Sequence, residues 1–214
     1  MSYTTPQVIL LWIVALAIAW VILVRIVRMF VHFPIPSFLA QFLDNPIRRM
    51  LQPPATVVDW IDIREGMRVL EIGPGPGTFT IEAARRAGDN GRIFAVDIQP
   101  VVITRLDERL KRDEITNVRA EVASAYQLPY RNGFFDRVFM ITVLGEIPDK
   151  RRALLEIKRV LKDDGLLAVG EFLPDPDYPR RETVFNWCRS ARFELVGRYG
   201  GLWHYVLTFK KSES

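Results

Sequence analysis

The chain is poor in the residues that most often carry metal and redox chemistry: its 214 residues include one cysteine and two histidines. A lone Cys188 excludes an intramolecular disulfide and an all-cysteine metal centre, and no metal site is expected. A second long apolar run is also missing, which excludes a polytopic membrane protein. Nor is there a basic stretch interleaved with aromatics; 29 Lys and Arg stand against 25 Asp and Glu, scattered along the chain. The formal charge of +4 therefore supplies no nucleic-acid surface, and no nucleic-acid partner is expected. Internal repeats and low-complexity tracts are absent, and a hydrophobic content of 49% excludes disorder.

The apolar residues that are present are unevenly placed. Of the first 33 residues, 25 are hydrophobic, which leaves about 44% in the remainder, an ordinary value for a soluble domain. Val8 to Val24 is a run without charge, and the pattern continues to Val31. As one helix, Val8–Val31 spans roughly 36 Å, enough to cross a bilayer. A cleaved signal peptide carries its positive charge before the apolar run; here Arg25 and Arg28 follow it. Residues 1–33 are therefore expected to be a retained, single-pass transmembrane anchor. Arg25, Arg28, Arg48 and Arg49, all C-terminal to it, place the globular part on the cytoplasmic side.

Residues 34–63 are expected to form a juxtamembrane linker punctuated by Pro34, Pro36, Pro53 and Pro54. Phe38, Leu39, Phe42 and Leu43 share one helical face, as do Ile47, Met50 and Leu51. Two readings stay open: short helices packed on the domain, or an amphipathic segment on the membrane surface with Arg48 and Arg49 towards headgroups.

From residue 64 to 214 strands and helices alternate. Strands are predicted at Arg68–Ile72, Arg92–Asp97, Val118–Val122, Arg137–Ile141 and Leu166–Glu171, with helices after the first, second, fourth and fifth. Fully apolar strands alternating with helices mean a parallel sheet covered on both faces. Two last strands joined by Gly200-Gly201 read as a hairpin, so one edge strand should run antiparallel. The fold class is α/β, a Rossmann-like, doubly wound, seven-stranded sheet.

In such sheets ligands bind at the carboxyl ends of the strands. The first strand runs into Glu71-Ile72-Gly73-Pro74-Gly75-Pro76-Gly77-Thr78, and Asp97 ends the second. Pro74 and Pro76 have no N–H to offer a phosphate. An acid at Asp97 is placed to accept hydrogen bonds from ribose hydroxyls. A ligand with a ribose, no phosphate and a cationic end near Glu71 suits this loop better than a dinucleotide does.

The blocks VLEIGPGPGTFT, FAVDIQP, LPYRNGFFDRVFMITVLGEIPD and LLEIKRVLKDDGLLAVGEF resemble, in order, those of the class I S-adenosylmethionine-dependent methyltransferases of the type 11 kind. The resemblance implies S-adenosylmethionine as cofactor. It implies a cofactor-binding set of Glu71, Gly73, Gly75, Gly77, Thr78, Asp97, Ile98, Ser124, Ala125 and Ile141. Ser124 stands where the family often has an acid at the adenine, and Gly145-Glu146 where relatives often carry a His pair. The catalytic residue is open; Glu146 and His204 are candidates, and Tyr126, Tyr130 and Tyr178 are candidate linings of an acceptor pocket.

The blocks are most similar to ubiquinone/menaquinone-biosynthesis C-methyltransferases and to phospholipid N-methyltransferases. With the leader, they imply a membrane-bound methyltransferase whose partners are the lipid bilayer and a lipid or lipophilic small-molecule acceptor. A methyltransferase-like membrane scaffold without activity is the alternative, suggested by Ser124 and the absent His pair.

Overall fold

The computed structural model describes residues 46–173, 175 and 178–212, with isolated helical positions at 8–9, 11–13, 15–16, 19 and 23. The rest of the expected anchor, and the Phe38–Leu43 face, lie outside the described residues. Among the described residues, no helix is long and apolar enough to cross a membrane.

The elements are α1 (Pro46–Leu51), α2 (Pro54–Ile61), β1 (Arg68–Ile72), α3 (Thr78–Ala87), β2 (Arg92–Asp97), α4 (Pro100–Arg112), β3 (Val118–Val122), β4 (Phe135–Ile141), α5 (Lys150–Val160), β5 (Leu161–Phe172), α6 (Arg181–Ser190), β6 (Phe193–Gly200) and β7 (His204–Lys211). They build a seven-stranded sheet in the order β3-β2-β1-β4-β5-β7-β6. Strands β1 to β5 pair in parallel, whereas β7 runs antiparallel to both β5 and β6. The antiparallel strand at that edge is thus inserted one place in, and β6 lies outermost. The order reverses between β1 and β4, which opens a crevice at their carboxyl ends.

Alternation along each strand divides the core into two layers. Phe94 and Val96 of β2, Val138 and Met140 of β4 and Leu207 of β7 face Leu154 and Ile157 of α5 and Val184 and Cys188 of α6. Val69, Ile93, Phe139, Ile141 and Val206 face Phe79, Ala83 and Ala84 of α3 together with Val57, Val58 and Ile61 of α2. Leu106 and Leu110 of α4 cover Ala95 on that same side. Because both faces are covered, β1, β2 and β4 are buried along nearly their whole length, whereas the edge strands β3 and β6 alternate.

At the C-terminal end of residues 34–63 the structure follows the reading of a short helix packed on the domain. Pro54 opens α2 at a position where a missing N–H costs nothing. Val57, Val58 and Ile61 are then buried, each worth about 1.5–3 kcal/mol. The end of α2 is held by Arg137, a nearly buried β4 side chain. Its Nε donates to the carbonyls of Ile61 (3.2 Å) and Asp62 (3.1 Å), and its Nη2 to Asp62 Oδ2 at 2.8 Å. The packed unit therefore begins with α2, before residue 64.

Candidate active site

Strand β1 delivers the glycine turn to the crevice. Gly73 adopts φ +71° and donates its N–H to Val96 O of β2 at 2.8 Å. A Cβ there would come within 2.4 Å of Val143 Cγ2, so only glycine lets the turn lie against the loop after β4. At Gly75 (φ +52°) a Cβ would meet nothing within 4 Å, because the residue faces open space. The turn is pinned from behind: Arg109 of α4 donates to Pro76 O at 2.5 Å.

The open space is a pocket of about 360 Å³ whose wall runs from Ile72 through Gly73, Pro74, Gly75, Pro76 and Thr78 to Asp97, Ile98 and Gln99, then Ala123–Tyr126, and Ile141 to Val143 with Glu146 to Pro148. Glu71 lies one residue before this wall, 2% exposed, and its Oε2 has no hydrogen-bond partner. Burial pushes its carboxyl up to about 8, with the neighbouring Thr80 hydroxyl drawing it back. A buried acceptor left unsatisfied is costly unless a donor arrives. An ammonium group in the glycine turn would be such a donor.

Asp97 ends β2 on the pocket wall. One carboxylate oxygen is occupied by the backbone N–H of Gln99, at 2.8 Å. Burial raises its pKa, partly offset by the backbone donors of Gln99 and Ile98. A carboxylate pinned this way presents its remaining lone pairs in one direction, as recognition of a pair of hydroxyls requires. Across the pocket, Ser124 and Ala125 stand in the loop after β3. The Ser124 Oγ accepts from the Tyr126 N–H at 3.2 Å.

The other side of the pocket is made after β4. Thr142 holds φ +58°, a strained conformation for a residue with a Cβ, and its hydroxyl donates to the Ile141 carbonyl at 2.7 Å. Val143, Ile147 and Pro148 make this side apolar, and Glu146 is its carboxylate. Arg48 of α1 reaches over from outside the sheet. Its Nη2 donates to Thr142 Oγ1 at 3.4 Å, and its guanidinium lies 5.4 Å from the centre of the Phe172 ring. Of the two readings left open for this segment, packing on the domain is the one that Arg48 follows, on the pocket wall.

Most of the residues expected to bind cofactor share this wall: Gly73, Gly75, Thr78, Asp97, Ile98, Ser124, Ala125 and Ile141. Gly77 does not line it. It precedes α3 with φ +83°, and a Cβ there would strike Leu106 Cδ1 at 2.5 Å, so its part is to let α3 close on α4. His204, a candidate base, is displaced from the pocket. It starts β7, two strands beyond β4, where it stacks on Trp60 at 5.3 Å and burial lowers its pKa. Of the tyrosines, Tyr126 lines the pocket. Tyr130 instead donates to Glu121 at 2.9 Å inside an aromatic cluster with Phe94 and Phe135. Tyr178 donates to Leu202 O at 3.0 Å.

The comparisons with known proteins agree with this geometry. Residues 63–209 match the family described as a methyltransferase domain. The chain is 34% identical over 146 residues to the ubiquinone/menaquinone biosynthesis C-methyltransferase UbiE of Vibrio parahaemolyticus, covering 68% of this chain and 55% of that protein. With its counterpart in Idiomarina loihiensis the identity is also 34%, over 54% of this chain and 46% of the relative. The chain thus spans about half the length of the curated relatives it matches. Its fold is similar to that of a SAM-dependent methyltransferase from Aquifex aeolicus, with a TM-score of 0.78 at 22% identity over 82% of this chain and 98% of the other. A glycine turn in which two prolines offer no N–H to a phosphate, a buried carboxyl oxygen without a hydrogen-bond partner and an acid at the end of β2 fit the cofactor of that family, and the chain belongs to it: this is an S-adenosylmethionine-dependent methyltransferase domain.

Proposed function

We propose that the chain methylates a lipophilic acceptor, a quinone-type ring or a lipid, at the cytoplasmic face of a membrane to which residues 1–33 tether it. The observation that carries this reading is the apolar acceptor side of the pocket, formed by Ile141, Val143, Ile147 and Pro148. The names of the curated relatives, C-methyltransferases of ubiquinone and menaquinone biosynthesis, support the quinone-type ring. The leader supports the membrane: a tethered domain meets bilayer-dissolved acceptors at high effective concentration.

S-adenosylmethionine supplies a methyl group already activated on a sulfonium, so the protein's task is alignment and exclusion of water. In this reading Asp97 accepts from the ribose hydroxyls, Glu71 faces the amino end, and Ser124 and Ala125 border the adenine. Gly73, Gly75, Thr78, Ile98 and Ile141 shape the surface against which that cofactor lies, while Gly77 sets the entry into α3. Val143, Ile147 and Pro148 keep water from the acceptor. A ring carbon that gains a methyl group must lose its proton. Of the two carboxylates on the described wall, Asp97 is engaged with ribose, which leaves Glu146 to receive it.

The test is to incubate the full chain with its own membranes and isotopically labelled S-adenosylmethionine, followed by mass spectrometry of lipid and aqueous products. Label in the lipid extract is expected. Label confined to water-soluble products overturns the lipophilic acceptor, and chain released from membranes by alkaline extraction overturns the tether.

A further inference from the structure

The β6–β7 hairpin ends in Gly201-Leu202-Trp203, and its two large apolar side chains stand in the open: Leu202 is 72% exposed and Trp203 59%. The backbone beneath them is tied down completely on its carbonyl side. Arg181 Nη2 donates to Gly200 O (2.7 Å) and Gly201 O (3.0 Å), and the Tyr178 hydroxyl to Leu202 O (3.0 Å). The Leu173 N–H donates to Trp203 O (2.7 Å) and the Gly201 N–H to His204 O (2.8 Å). Carbonyls at a turn usually rely on water for their hydrogen bonds. Five successive carbonyls satisfied from within lose nothing when water is removed, which is what an apolar medium requires of carbonyl groups.

The position of the tip matters as much as its make-up. Strand β7 begins where β5 ends, with His204 paired to Phe172, so the tip lies at the carboxyl ends of the parallel strands, the end at which the pocket opens. Arg198, two residues before the end of β6, is exposed, and so is Arg180, the neighbour of the Arg181 that reaches the tip, giving the hairpin a cationic margin. Tryptophan beside arginine on an apolar tip is the composition of a membrane-interface contact.

We propose that Leu202 and Trp203 insert into the headgroup region of an anionic bilayer and hold the pocket mouth against it. The inference rests on the reading of a bilayer-borne acceptor, and it adds a second contact independent of residues 1–33.

The experiment places an environment-sensitive fluorophore on Leu202→Cys in the full chain; Cys188 is fully buried and stays unlabelled. With phosphatidylglycerol vesicles the emission should shift to the blue and acrylamide quenching should fall severalfold. The change should be smaller with phosphatidylcholine alone, and lost when Trp203→Ser is added. A label equally quenched with and without vesicles overturns the proposal. So does a label already shielded without vesicles, because a second copy or another part of the chain then covers the tip. Methyl transfer to a detergent-dispersed membrane lipid extract separates this inference from the proposed function. Leu202→Ser/Trp203→Ser should match the unmodified chain there and fall behind it only on vesicles. A chain inactive on the detergent extract overturns the function, while the fluorophore still decides the docking.

Discussion

The Arg48 guanidinium donates to the Thr142 hydroxyl, 3.4 Å away, and so joins a helix outside the matched methyltransferase region to the end of β4. Thr142 sits beside Val143 on the acceptor side of the pocket, at strained backbone. Arg48→Ala is therefore expected to weaken acceptor use and spare the cofactor. Loss of this one long hydrogen bond, about 1 kcal/mol, corresponds to roughly a fivefold rise in acceptor KM. Titration of the cofactor against the variant should give an unchanged Kd; an equal loss in both would place Arg48 in general stability instead.

Asp97 is the sharper lesion for the cofactor. Replacing it with Ala removes an ionised acceptor for two hydroxyls, each bond worth about 1.5–3 kcal/mol, so cofactor Kd should rise by at least about tenfold. Calorimetry measures this directly. Circular dichroism should stay unchanged, because Asp97 lies at the end of its strand and is only part-buried.

Glu71 makes cofactor affinity depend on pH. Its carboxyl is pushed from an ordinary 4.5 up to about 8 by burial. Between those values the unfolded chain has released the proton and the folded chain keeps it. Raising pH through this window therefore lowers the stability of the cofactor-free protein, and the loss levels off above about 8. An ammonium group beside Glu71 favours the ionised form, so cofactor binding in the same window should release a proton and tighten as pH rises towards 8. Calorimetry in two buffers of different ionisation enthalpy reads that proton. Glu71→Gln should abolish that release and remove the Glu71 part of the fall in stability between an ordinary 4.5 and about 8.

Helix α2 should prove integral to the domain. Ile61 is fully buried against the sheet, and Ile61→Ala is expected to cost about 2–5 kcal/mol through lost burial and the cavity left behind. Urea unfolding measures the loss. A change under 0.5 kcal/mol, the range of exposed surface positions, would return α2 to the status of a linker.

Much of this molecule is legible in one sequence because strand β1 and strand β2 are short apolar runs that end in marked residues. Glycines follow one and an acid closes the other, so the expected Gly73, Gly75 and Asp97 fall on one wall. Arg48 was not legible in that role. It lies 25 positions before Gly73, in a segment whose periodicity serves equally for a membrane surface and for packing on the domain. Its seat depends on Pro53-Pro54, on the burial of Val57, Val58 and Ile61, and on the clamp that Arg137 places on Asp62. His204 misleads for a related reason: nothing local to a strand states its place in the sheet, and β7 enters beyond β5.

The sequence alone determined the strand–helix alternation, the parallel sheet, the glycine turn and the acid that follows it. These are local: each depends on residue type and spacing within one element or one turn. Tertiary structure alone decided that Arg48 joins the pocket, that His204 leaves it, that one Glu71 carboxyl oxygen is buried without a hydrogen-bond partner, and that Leu202 and Trp203 stay exposed among the described residues. Each of those depends on which distant segments come into contact, and contact between distant segments is set by how two faces of one sheet are covered, which no local pattern records.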